Sequence, residues 1–129
     1  MDRMTGKEIG DRGEAIAARY LEAQGYVILD RNYRYQRAEL DLVCYEPAEG
    51  ESEGGELVFT EVKTRSGLGF GRPEEAVSSA KRRHLVRAAR AYLYERRLEG
   101  APCRFDVISI MVRGESEPDI EHFKRAFWA

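Results

Sequence analysis

The segment Leu57-Val58-Phe59-Thr60-Glu61-Val62-Lys63 constrains this chain more than any other. It is an apolar, β-branched and aromatic run of strand length, and it ends in charge. Side chains of a strand alternate between faces, so Glu61 and Lys63 share a face with Leu57 and Phe59. The apolar start predicts burial on both sides. A carboxylate and an ammonium at the end of such a strand are costly unless they are paired or bound to a metal.

The preceding run, Ala38-Glu39-Leu40-Asp41-Leu42-Val43-Cys44-Tyr45, alternates acidic and apolar residues and then turns apolar. Strict alternation puts Glu39 and Asp41 on one face, with Leu40 and Leu42 on the other. The stretch Pro47 to Glu56, with three glycines and several glutamates, reads as a long hairpin connection. In such a hairpin Asp41 and Glu61 converge at one end. Two carboxylates about 4 Å apart repel by roughly 4 kcal/mol at an effective dielectric near 20. A site that keeps both ionised usually holds a cation, and oxygen ligands suit Mg²⁺ or Mn²⁺ better than zinc. Such an ion polarises a phosphoryl oxygen and lowers the pKa of bound water. Lys63 can orient that water or stabilise charge developing on a phosphate. The same residue types also serve as solvated cross-strand pairs, and the pattern alone leaves both readings open.

The rest of the chain supplies the frame. Helical spacing from Lys7 to Gln24 (Ile9, Gly13, Ile16, Ala17, Tyr20, Leu21) predicts a first helix, stopped by Gly25. Tyr26 to Leu29 reads as a short strand. A glycine-rich loop covers Ser66 to Pro73, and a second helix is expected from near Pro73 to about Arg97. Arg104 to Val112 is a strand, and Ile120 to Phe123 a short last one before a tail ending in Phe127 and Trp128. The expected order is α-β-β-β-α-β-β, a single α/β domain over residues 1–129. A hydrophobic content of 43% supports a real core. The formal net charge of -2 gives no bulk argument for nucleic acid, so only a segregated basic patch would supply one.

Met1 to Gly13 is polar and shows neither a signal peptide nor a membrane span, which predicts a cytoplasmic protein without a membrane partner. Cys44 and Cys103 read as small buried hydrophobes, not as a zinc site or a disulfide. His84 and His122 read as isolated surface or interfacial side chains. No P-loop, dinucleotide fingerprint or Ser/His/Asp arrangement points to another enzyme class.

The basic patch is sought on the second helix. Lys81, Arg82, Arg83, Arg87, Arg90, Arg96 and Arg97 stand there against one acid, Glu95. Arg83, Arg87, Arg90 and Arg97 follow helical spacing along one face. That face is either simply solvated or a phosphate-contacting surface. Arg65 and Arg72 flank the glycine-rich loop and could clamp a nucleic-acid backbone. The acidic Glu46 to Glu56 loop would repel DNA and is expected away from it.

Several segments together resemble one family. Gly13-Glu14, Ala38-Glu39-Leu40-Asp41-Leu42-Val43 and Phe59-Thr60-Glu61-Val62-Lys63-Thr64-Arg65 are similar to the YraN family of small bacterial endonuclease-like proteins. So are Phe70-Gly71-x-Pro73, Ala76-Val77, Lys81 and Arg104-Phe105-Asp106-Val107, in the right order along nearly the whole chain. That family resembles archaeal Holliday-junction resolvases and the PD-(D/E)-x-K nucleases. The resemblance implies a restriction-endonuclease-like fold, a central mixed β-sheet flanked by helices. It implies Asp41 as the motif aspartate, Glu61 and Lys63 as the (D/E)-x-K pair, and Glu14 as the acid of the first helix, contacting a water on the ion and not the ion itself. Ala38 stands where the family usually has glycine, and no proline precedes Asp41.

The expectation is therefore a metal-dependent deoxyribonuclease for branched or otherwise structured DNA, with a non-catalytic nucleic-acid-binding module as the alternative. Its catalytic set would be Asp41, Glu61, Lys63 and Glu14, with Asp41 and Glu61 holding Mg²⁺ or Mn²⁺. Arg65, Arg72, Lys81, Arg83 and Arg87 would face DNA. Gln36 and Thr64 are weaker candidates, and Glu39 suits either the acidic site or a salt bridge to a nearby arginine. A homodimer follows from the resolvase resemblance, because cutting two strands symmetrically suits a two-fold pair of sites. Phe70, Phe127 and Trp128 are its interface candidates, unless they pack in the core.

Overall fold

A computed structural model describes residues 5–48, 54–66, 78–113 and 116–127. Helix α1 spans Gly6–Ala23 and strand β1 Val27–Tyr35. Strands β2 (Ala38–Glu46) and β3 (Glu56–Ser66) follow, then helix α2 (Ser79–Glu95). Strands β4 (Cys103–Val112) and β5 (Asp119–Phe127) complete the order expected from sequence. One five-stranded sheet forms in the order β1-β2-β3-β4-β5. Its neighbours are antiparallel except β3 and β4, which run parallel and are joined through α2. This is an α/β restriction-endonuclease-like fold with a mixed sheet between two helices.

Each helix buries an apolar stripe on its own face of the sheet. Ala17, Ala18 and Leu21 of α1 cluster with Leu42, Cys44, Val58, Val62, Ile108 and Ile110. Leu85, Ala88, Ala89 and Tyr92 of α2 cluster with Leu40, Val43, Phe59, Phe105 and Val107. Alternation along β3 assigns its residues to the two clusters in turn, and Glu61 and Lys63 fall in phase with Phe59 on the α2 side.

Four expectations need correction. Strand β1 runs nine residues, not four, because Arg31, Tyr33, Arg34 and Tyr35 pair with β2 although β1 is a half-exposed edge. Strand β5 is likewise nine residues long, and Phe127 stacks on Phe105 at 4.7 Å inside the core instead of lying in an exposed tail. Helix α2 starts at Ser79, where the Ser78 hydroxyl accepts from the Lys81 amide at 3.2 Å and caps the first turn. Its expected start at Pro73 lies outside the described residues, as do Phe70, Arg72 and Trp128. Finally, Leu40 packs toward α2 but Leu42 toward α1, so strict alternation fails at Asp41.

Helix α1 approaches β3 closely at one residue. A Cβ built on Gly13 would lie 1.7 Å from Thr64 Oγ1, so only glycine permits this approach. The contact fixes the next residue, Glu14, beside the end of β3.

Candidate functional site

The irregularity at Asp41 opens a fork in the sheet. The β2–β3 ladder runs from Glu46 and Glu56 to Leu42 and Thr60 and stops there, whereas β3 stays paired with β4 as far as Ser66. At the fork the Val62 amide donates to Asp41 Oδ2 at 2.8 Å, so a carboxylate satisfies the backbone group that the diverging strand leaves open. One cleft reaches Asp41 and Glu61 from the N-terminal part of α1, past Glu14, Lys63 and Thr64. A second reaches the same two acids from the α2 side, past Glu39 and Lys81.

Several elements thus bring acids together. One oxygen each of Glu14 (α1), Glu39 and Asp41 (β2) lie within 4.8 Å of one another. The Asn32 amide, in β1, ties two of them by donating to Glu14 Oε2 at 3.0 Å and to Glu39 Oε1 at 2.9 Å. Asn32 sits at φ +52°, a left-handed conformation that asparagine tolerates better than most residues. Glu39 also pairs with Arg34 at 3.0 Å, so it makes a salt bridge to a nearby arginine while lying beside Asp41.

Glu61 is buried from the opposite side of the fork. Its Oε1 accepts from Lys81 at 2.5 Å and lies 3.4 Å from Lys63 Nζ. Among the described residues its buried Oε2 has no hydrogen-bond partner, and the neighbouring Asp41 carboxylate could serve only if one of the two were protonated. Burial, and then the charge of Glu61, push Asp41 up to about 8. Burial, Glu39, Asp11 and Glu61 also raise Glu14, against the opposing bond from Asn32. Burial and the nearby Lys81 hold Lys63 below the ordinary lysine value. Burial works the same way on Lys81, but its bond to Glu61 prevails and raises it. The acids crowd one another while two ammonium groups crowd Glu61, so charge of both signs is concentrated at the fork.

The basic residues are distributed differently. Arg83 and Arg87 are exposed on α2, and Arg65 is half-buried at the end of β3. Lys81, expected on a nucleic-acid backbone, is engaged with Glu61. Sequence reasoning missed two features here. Asn32 carried no signal, since an asparagine in a polar edge strand looks like a turn residue. The pairing of Lys81 with Glu61 was not read from the sequence, although Lys81 stands one helical turn before Leu85 and hence beside the buried stripe.

Away from the fork lies a second polar network, on the α1 side of β4. Asp106 is fully buried and accepts from Arg104 Nε at 3.0 Å and Nη2 at 3.2 Å, and from the Arg125 amide at 3.0 Å. His122 Nε2 lies 2.7 Å from Asp106 Oδ2, and its Nδ1 lies 3.3 Å from the Tyr20 hydroxyl. His122 is therefore not a surface side chain: only 5% of it is exposed, because it pairs with a buried acid. Arg104 further donates to Glu46, Glu56 and the Tyr26 hydroxyl. Although burial opposes ionisation, the bonds from His122 and Arg104 hold Asp106 below the usual carboxylate value. A lone aspartate inside the apolar run Phe105 to Ile110 was the available signal, because such a charge must have partners.

The sheet order and the two helices define a small α/β protein of restriction-endonuclease-like fold. Comparison with known proteins gives the family: residues 13–110 match the model described as "Uncharacterised protein family UPF0102". A UPF0102 protein of Chlorobaculum parvum is 45% identical over 124 residues, spanning 92% of this chain and 91% of its own. One of Syntrophotalea carbinolica is 49% identical over 119 residues, covering 92% and 90%. One of Rhodococcus opacus is 44% identical over 119 residues, covering 92% and 95%. The chain belongs to the UPF0102 (YraN) family. Among the described residues, no helix is long and apolar enough to cross a membrane.

Proposed function

We propose that the fork is the active site of a metal-dependent deoxyribonuclease that hydrolyses phosphodiester bonds in structured DNA. The observation that carries this reading is the convergence of Asp41, Glu61 and Lys63 where β2 and β3 separate, with Glu61 Oε2 buried and unpartnered among the described residues. An orphaned carboxylate oxygen beside a second carboxylate fits a hard divalent cation, and the all-oxygen donor set favours Mg²⁺ or Mn²⁺. Asp41 and Glu61 would hold the ion, with Glu14 and Glu39 close enough to Asp41 to contribute charge. When bound, such an ion supplies Lewis-acid stabilisation of the phosphoryl oxygens.

The chain's own groups do the rest. Lys63, whose ammonium lies 3.4 Å from Glu61 Oε1, would offer that charge to the scissile phosphate. Burial and the adjacent Lys81 hold its pKa below the ordinary lysine value, which eases proton release relative to a free lysine. Asn32 fixes the orientation of Glu14 and Glu39. A homodimer would present two such sites to two strands, and light scattering with and without DNA tests that.

One observation favours the second reading, a nucleic-acid-binding module without catalysis. Lys81 already neutralises Glu61 from inside the protein, as a cation would. The deciding experiment is cleavage of labelled linear, single-stranded, flap and four-way DNA, with Mg²⁺, Mn²⁺ or chelator. Activity that needs the metal and is lost in Glu61→Gln supports the nuclease. Binding without cleavage in every arm supports the module.

A further inference from the structure

The cleft on the α2 side of the fork does not end at the fork. It shares Arg37, Ala38 and His84 with a neighbouring cleft, which in turn shares Tyr35, Gln36 and Arg87 with a third. The three form one channel between α2 and the β1–β2 turn, running from Asp41, Glu61 and Lys81 out to Arg90 and Tyr94. Its α2 wall is one helical stripe: His84, Arg87, Ala91 and Tyr94 recur at intervals of three and four. Arg83 is absent from the lining, so the basic face that matters is rotated from the one read off the sequence.

The chemistry of this channel is specific. Tyr94 is 71% exposed, an aromatic ring left in water at its far end. Tyr35 faces it from the turn, and Arg37, Arg87 and Arg90 line the walls between. Helix α2 carries five basic residues and one acid, a net of +4 in a chain whose formal net charge is -2. That acid, Glu95, lies at the outer end of the channel, and Glu39 lies at the inner end. The turn itself is held with Gln36 at φ +56°, strained for a residue with a Cβ, so its position is imposed by the fold.

We propose that this channel holds a single polynucleotide strand, leading an unpaired stretch of the substrate to the acidic fork. The reading of the fork as a DNA site makes that strand DNA. Bases within a duplex cannot lie on Tyr94 or Tyr35, whereas unpaired bases stack on aromatic rings while arginines follow the phosphates. From Lys81 to Tyr94 the helix rises about 20 Å, at ~1.5 Å per residue. That length matches about six nucleotides at ~3.4 Å per stacked nucleotide. The substrate class is then DNA with a single-stranded arm or gap beside the cleavage point.

The test is fluorescence anisotropy of labelled dT12, rU12 and a 12-base-pair duplex on the whole protein, in chelator so that no cleavage intervenes. dT12 should bind more tightly than the duplex. Tyr94→Ala should weaken dT12 by roughly five-fold or more, and Tyr94→Phe should restore it, since the ring carries the stack. Arg87→Ala with Arg90→Ala should lower the slope of log K against log salt by about 1.4, while Arg19→Ala on α1 serves as the remote control. Equal binding of duplex and dT12, or no effect of Tyr94→Ala, would overturn the channel, and preference for rU12 would overturn its assignment to DNA. Tyr94-dependent dT12 binding without cleavage of any DNA would leave the channel standing and remove the nuclease reading. Metal-dependent cleavage indifferent to Tyr94 would do the reverse.

Discussion

Replacing Asp41 with asparagine removes one charge and leaves the shape nearly constant. In chelator, the folded protein holds Asp41 at about 8, against a usual value of about 3.9 in the unfolded chain. The carboxyl is protonated in both states below pH 4, so it costs nothing there. As pH rises, the unfolded chain releases the proton first, and stability falls until the folded value is reached. Between pH 4 and pH 7 this amounts to at most about 4 kcal/mol, at 1.36 kcal/mol per unit. The asparagine side chain carries no such penalty. Its amide can donate to the unpartnered Glu61 Oε2 while its carbonyl still accepts from Val62. The Asp41→Asn variant should therefore be more stable than the wild type at pH 7, by about 2–4 kcal/mol, and melt roughly 6–15 °C higher. At pH 4 the difference should shrink toward the single added hydrogen bond. Mg²⁺ at a hundred times its Kd should add about 2.7 kcal/mol to the wild type and much less to the variant. Thermal melts at the two pH values, with chelator and with Mg²⁺, measure all of these differences. A variant less stable at pH 7, with an undiminished response to Mg²⁺, would refute the reasoning, since a merely paired carboxylate predicts that result.

Three other outcomes follow from the geometry. Asp106→Asn removes the fully buried carboxylate that accepts from Arg104 and lies against His122, leaving Arg104 only the half-buried Glu46 and Glu56, and should cost about 3–5 kcal/mol in urea unfolding. Because Asp106 is held low, its contribution is present above about pH 4 and lost as pH falls through the folded value, so the two proteins should converge in stability only in acid. Gly13→Ala drives a methyl into Thr64 and should destabilise by about 1–3 kcal/mol, and pairing it with Thr64→Gly should recover part of that in a double-mutant cycle. Asn32→Ala unties Glu14 from Glu39 and should lower metal affinity about 10-fold or more in calorimetric titration, with little change in the far-UV spectrum.

The sequence was most legible where both faces of an element are buried. Strand β3 announced itself through Leu57 to Phe59, and its charged end led directly to Glu61 and Lys63. The edge strands were read too short, because Asp30 to Tyr35 and Lys124 to Ala126 mix exposed and half-buried positions and so carry little apolar signal. The convergence of Asp41 with Glu61 followed from hairpin pairing, but the fork did not. It depends on a break in alternation between Leu40 and Leu42, which a period of two cannot express. Asn32 and Lys81 reach the acids only through tertiary packing, from an edge strand and from the opposite helix. Asp106 itself stood out as a charge in an apolar run, but its partners beyond Arg104 did not, since they lie 16 and more residues away.

The fork leaves one backbone amide in an unusual position. An interior N–H of a ladder ordinarily reports on its neighbouring strand, but that of Val62 reports on the side chain of Asp41. In a ¹⁵N-labelled sample it is a natural antenna for the site. Its resonance should shift when Asp41 changes charge and again when a cation draws the carboxylate away. Its exchange with solvent deuterium should quicken on loss of that carboxylate while its neighbours in the β3–β4 ladder stay protected. A single peak thus offers a view of the site that needs neither substrate nor turnover.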